Sequence, residues 1–136
     1  MMVRNRQTVF LIFALILFGL FPLHGLSLEQ PKYTGTFSSL KYNSESGDLG
    51  GVEIRIVYAK TGYQAALQFS EGAPTDLIIV NPSFDGTSVY FEIPETNDYA
   101  GSFSGTIDNK SLKGTFRFKT GGEWKVNLPR KPSYWD

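Results

Sequence analysis

Val52-Glu53-Ile54-Arg55-Ile56-Val57-Tyr58-Ala59-Lys60-Thr61-Gly62-Tyr63-Gln64-Ala65-Ala66-Leu67-Gln68-Phe69 is a hairpin written in side chains. In the first half Val52, Ile54, Ile56 and Tyr58 fall on one face and Glu53 and Arg55 on the other. In the second half Tyr63, Ala65, Leu67 and Phe69 oppose Gln64 and Gln68. Strict period-two alternation marks a strand with one face on a core and one in water. A four-residue loop containing Lys60-Thr61-Gly62 pairs Tyr58 with Tyr63, Ile56 with Ala65 and Ile54 with Leu67, apolar against apolar each time. A slip of one residue would reverse every face, so the pattern specifies its own register.

The same alternation extends outward in both directions and gives eight predicted strands, at 33–42, 52–58, 63–69, 77–84, 87–93, 101–107, 112–118 and 124–129. Asp85-Gly86 is a two-residue hairpin signal that pairs Val80 with Phe91 and Ile78 with Ile93. The turn at 108–111 pairs Ile107 with Leu112, Gly105 with Gly114 and Phe103 with Phe116. Strand seven turns Leu112, Gly114, Phe116 and Phe118 inward, and strand eight does so with Trp124, Val126 and Leu128. The expected fold is all-β, a single antiparallel eight-stranded up-and-down barrel over 28–136; a β-sandwich needs the same alternation and is the alternative. An outer-membrane barrel wants strands of about 9–11 residues with an apolar exterior, whereas most of these are shorter and carry charge outside.

Upstream of the strands, Arg4 and Arg6 precede an almost wholly apolar run from Thr8 to Leu20, with Pro22 after it. A basic segment, an apolar segment too short to cross a bilayer, and the small residues Gly25 and Ser27 make 1–27 an expected signal peptide. The mature domain is then secreted or periplasmic, with no membrane association after leader cleavage.

Leader removal changes the chemistry on offer. Arg4 and Arg6 are two of the 13 basic residues, which leaves 11 against 13 acids. The sole histidine, His24, departs with the leader, and the chain has no cysteine. Without imidazole or thiol, the usual routes to an activated nucleophile and the usual zinc sites lose their central atom. Glu53 and Glu92 point outward, no carboxylate spacing singles out a glycosidase pair, and 43–50 lacks the alternating oxygen ligands of a calcium loop. No enzyme, cofactor or metal site is expected. The near-neutral balance also argues against nucleic acid, which calls for a basic face.

Tyr33-Thr34-Gly35-Thr36-Phe37, Phe103-Ser104-Gly105-Thr106-Ile107 and Leu112-Lys113-Gly114-Thr115-Phe116 share one pattern, an inward glycine between apolar residues. Such glycines either let strands bend as a sheet curls or leave internal space for a ligand. A glycine-kinked meander with an inward Trp near its end, and a segment such as Gly101-Ser102-Phe103-Ser104-Gly105-Thr106, resembles the small barrels of lipocalin and avidin type. The tail 128–136 is similar to that of uncharacterised exported bacterial proteins. The first resemblance implies a binding module, but the Gly-x-Trp signature of lipocalins is replaced by Gly35-Thr36-Phe37, so no ligand residues carry over.

Three surfaces are candidates for function. Tyr33, Tyr58, Tyr63, Phe91, Phe103 and Trp124, with Phe116, would line an interior able to hold a small hydrophobic ligand. Leu77, Ile79 and Tyr90 share an outward face that either self-associates or is capped by Tyr134 and Trp135 of the tail, with the tail preferred and a monomer expected. Finally, alternate connections of a meander fall at one end of the fold. That end gathers Glu45, Asp48, Glu71, Asp76, Glu95 and Asp98 against Lys119, while the other mixes Lys60, Asp85, Asp108 and Lys110. An acidic rim suits a basic protein partner, such as a basic hydrolase met by an exported inhibitor, or bound divalent cations.

Overall fold

The computed structural model describes residues 29–132, so the leader, its cleavage point and the tail residues Tyr134 and Trp135 lie outside the described residues. Strand segments follow one another as β1 (Gly35–Ser38), β2 (Lys41–Tyr42), β3 (Leu49–Ala59), β4 (Gly62–Gly72), β5 (Ile78–Val80), β6 (Ser83–Asp85), β7 (Ser88–Ile93), β8 (Gly101–Ile107), β9 (Ser111–Phe118) and β10 (Glu123–Lys131). No helix occurs among the described residues. The strands form one antiparallel sheet in the order β5-β4-β3-β1-β10-β9-β8-β7-β6, with β2 added on β3. Every step in this order is a sequence neighbour except those that place β1 between β3 and β10. That is the up-and-down order of a meander whose first strand meets its last, and the sheet curls around one core.

Two of the hairpins keep the register expected of them. Tyr58 faces Tyr63, Ile56 faces Ala65 and Ile54 faces Leu67, and the ladder runs on to Ala59 and Gly62, which tightens the loop to two residues. Ile107 faces Leu112, Gly105 faces Gly114 and Phe103 faces Phe116.

The third hairpin and its strand need correction. Asp85 pairs with Ser88 and Phe84 with Val89, so the loop is Gly86-Thr87 and the register is displaced from the expected one. Gly86 has φ +56°, and no non-glycine residue among those described has a positive φ. A hairpin turn with positive φ only at its first central residue is type II′, which leaves Asp85 in the strand; an Asp85-Gly86 loop of type I′ would have required positive φ at Asp85. The expected strand 77–84 is broken at Asn81-Pro82, because proline has no N–H to give a ladder. As a result Ile78 and Val80 pair with Leu67 and Ala65 on β4 rather than with β7. β5 and β7 run beside each other with Cα atoms within 8 Å, yet share no ladder, and this is the seam of the curled sheet.

Inward residues of nearly every strand meet in a single core. Phe37, Val52, Ile54, Leu67, Phe69, Phe91, Phe103, Ile107, Leu112, Phe116 and Leu128 are almost wholly buried. Gly105 and Gly114, directly paired, stand where neighbouring atoms leave no room for a side chain. A Cβ on Gly105 would land on the Lys113 carbonyl, and one on Gly114 would strike the Phe103 ring and lie 2.5 Å from the Ser104 carbonyl oxygen. Gly105 thus allows backbone to pack on backbone, while the space freed at Gly114 is occupied by the Phe103 ring.

Candidate functional site

The expected aromatic wall divides into three groups at different heights in the sheet. Phe91, Phe103 and Phe116 form the middle layer, with Phe91 and Phe103 stacked at 4.9 Å and Phe116 tilted against Phe103 at 4.8 Å. None of the three is more than 2 % exposed, and a ligand-sized space beside them would leave a larger part of each ring accessible. Among the described residues no buried side-chain nitrogen or oxygen lacks a hydrogen-bond partner, so the core aims no orphan polar group inward.

Tyr33, Tyr58 and Tyr63 gather at one end, joined by Phe84. Tyr33 stacks on Phe84 at 4.1 Å, and Tyr63 meets both edge-on. Tyr58 is 71 % exposed, which corrects its expected interior position: it lies on the inward face, but its hairpin projects beyond the core. This end is tied shut by Arg130. Its guanidinium donates to the carbonyls of Thr34, Lys32, Asn109 and Asp108 at 2.6, 2.6, 3.0 and 3.2 Å and lies 4.5 Å from the centre of the Phe37 ring. The Tyr33 hydroxyl donates to the Gly86 carbonyl at 2.6 Å. Asp108 accepts from the backbone N–H groups of Lys110 and Ser111 at 2.7 Å each, and these bonds hold its carboxyl below the ordinary aspartate range.

Trp124 marks the opposite end. It is 37 % exposed, faces Phe116 across the β9–β10 ladder and leans on Phe69, which in turn stacks on Tyr99 at 4.2 Å. Phe118 completes this half-open aromatic floor. Around it the connections carry the six rim acids, all exposed. The Leu49–Gly72 pair sets the turn bearing Glu45 and Asp48 beside the connection bearing Glu71 and Asp76. The backbone of Lys119 donates to the Ala100 carbonyl at 2.8 Å, and its ammonium pairs with Glu95, holding that carboxyl below its ordinary value. Of the six acids, Glu95 alone has a basic partner among the described residues. Glu71 and Asp98 converge electrostatically on Tyr99: burial raises its phenol pKa most, and these two negative charges raise it further. No group of three or more His, Asp or Glu among the described residues is placed to hold a metal ion. The rim is a dispersed field rather than a chelate.

The sequence places Phe118 inward but gives no role to Tyr99, Phe84 or Arg130. Tyr99 lies in a connection without periodicity. Phe84 and Phe118 were within predicted strands, and only the meeting of strand ends makes them part of a cluster. Arg130 lies at the end of β10, and nothing local shows that its guanidinium reaches carbonyls nearly 100 residues earlier in the chain.

No family model, no curated protein and no solved structure matches the chain.

Proposed function

We propose that the domain is a non-catalytic binding module that receives a cationic partner on its acidic end. The observation carrying this reading is that Glu45, Asp48, Glu71, Asp76 and Asp98 are exposed without an ion-pair partner among the described residues, around an aromatic floor that leaves Trp124 partly open. Carboxylates without ion-pair partners leave this end net negative, Lys41 beside Glu45 and Asp48 notwithstanding, and the apolar floor next to them supplies contact area for the stem of a lysine or arginine. The filled middle layer favours this surface over the interior as the place where a partner is met. A protein is favoured over a lone divalent ion because the acids are spread around several connections.

The test is binding to a basic protein such as lysozyme by calorimetry or interferometry, with salt titrated, before and after replacing Glu45, Asp48, Glu71 and Asp98 by their amides. Affinity should fall at least tenfold, about 1.4 kcal/mol, and its salt dependence should flatten. If basic proteins bind with an affinity that neither salt nor the four replacements change, the acidic end has no such role.

A further inference from the structure

On the outer surface of β3, β4 and β5, side chains stand in two rows. Glu53 pairs with Gln68 and the next residue along is Leu77, one step beyond the end of the β4–β5 ladder. Arg55 pairs with Ala66, which pairs with Ile79. Leu77 is 62 % and Ile79 57 % exposed. Glu53, Arg55, Ala66, Gln68 and Leu77 line one shallow depression, its bottom set by the short side chain of Ala66.

We propose that this face docks on the same face of a second copy of the chain, about a two-fold axis running across the strands between the two rows. The rows are complementary under that operation. On β3, Glu53 meets Arg55 of the second copy and Arg55 meets its Glu53. On β5, Leu77 meets Ile79 and Ile79 meets Leu77. On β4, Gln68, whose amide donates to the Thr75 carbonyl at 2.8 Å, stands over Ala66 of the second copy, and the short alanine leaves room for it. Reciprocal contacts of this kind, residue i with j and j with i, are what an isologous interface requires. Within one chain Glu53 and Arg55 make only a loose 3.8 Å contact, with Arg55 64 % exposed, so the dimer exchanges one weak pair for two crossed ones.

β10 ends at Lys131 beside β1, and β5 is four strands away in the sheet order, roughly 19 Å along the surface at about 4.8 Å per strand. The tail would have to cross the full width of those strands to cover this face, whereas a second copy meets it directly, row against row. Two convex faces meeting over three strands make a contact at the small end of specific interfaces, so the dimer forms with rising concentration. Because the axis reverses strand direction, the acidic ends of the two copies point opposite ways. The dimer therefore offers two separated rims, a consequence that goes beyond the binding reading above and does not depend on it.

Sedimentation equilibrium of the purified protein over a concentration series tests this, with Glu53→Arg and Arg55→Glu made separately and Ile79→Lys as a third variant. Wild type should be a dimer at high concentration, and each variant should dissociate at least tenfold more readily while keeping the wild-type circular dichroism. Mixing the Glu53→Arg and Arg55→Glu chains in equal amounts should restore dimer, since one copy then presents two arginines on β3 and the other two glutamates. An intrachain role for the pair would not produce that rescue. A wild-type protein that stays monomeric at all concentrations, or a mixture no more dimeric than its separate components, overturns the proposal.

Discussion

The two ends of the curled sheet are built from the same ingredients, aromatic rings and charged connections, and use them in opposite ways. At one end a single guanidinium satisfies four carbonyls from two segments, and Tyr33 bridges to the β6–β7 turn, so charge is consumed in holding strands together. At the other end Lys119 neutralises Glu95, and the remaining five acids have no basic partner among the described residues. Charge that is consumed internally stabilises a fold, whereas charge left facing water adds little to stability and remains available to a partner. The contrast between a clasp and an open rim is what distinguishes a structural end from a functional one when both look polar.

Breaking the clasp should have the largest effect. Arg130→Ala removes the donor of four hydrogen bonds and leaves the carbonyls of Thr34 and Lys32 short of a partner, at a cost of about 2–3 kcal/mol. The readout is a lower urea midpoint at unchanged slope. Tyr33→Phe deletes only the bond to Gly86 while keeping the stack on Phe84, and should cost about 1 kcal/mol by the same measurement.

Acid titration probes the clasp end in a different way. The folded pKa of Asp108 is depressed below the ordinary value of 3.8, so its contribution is fully present above that value and is lost as pH falls through the folded one. Asp108→Asn, which keeps an acceptor but not the charge, should remove this group's share of the stability loss seen below about pH 4. Denaturation midpoints of both proteins across that range provide the check.

The rim should respond least in stability and most in its local field. Glu71→Gln with Asp98→Asn is expected to leave stability within about 0.5 kcal/mol of wild type, as surface changes generally do. Tyr99, followed by ultraviolet titration, should ionise at lower pH in that variant, though still above an exposed tyrosine because burial is the larger cause of its shift. A stability loss comparable to that of Arg130→Ala would erase the distinction between the two ends.

Much of this architecture was legible in the chain. Period two assigns each side chain to a face, and a turn with few solutions fixes which residues meet, so Ile54–Leu67 and Phe103–Phe116 could be paired from sequence alone. The slip at Gly86-Thr87 preserved the faces, because it displaced the pairing by an even number and left Val89 and Phe91 buried. Alternation says nothing, however, about height along the sheet. Tyr58, Phe91 and Trp124 carry the same inward parity and end 71 %, 2 % and 37 % exposed, because one projects on a hairpin, one lies in the middle layer and one stands at the rim. Pairing between distant strands was equally beyond local reading. The sequence by itself determined the all-β character, the facing of side chains and the charge distribution, which are local properties of neighbours along the chain. The tertiary structure decided that the 77–84 segment divides between two sheet edges, that the gap at Gly114 is filled by Phe103, and that Arg130 closes one end while Trp124 and the exposed acids stand at the other. Each depends on which strand ends meet in space, and that is set by the curl of the whole sheet around its core.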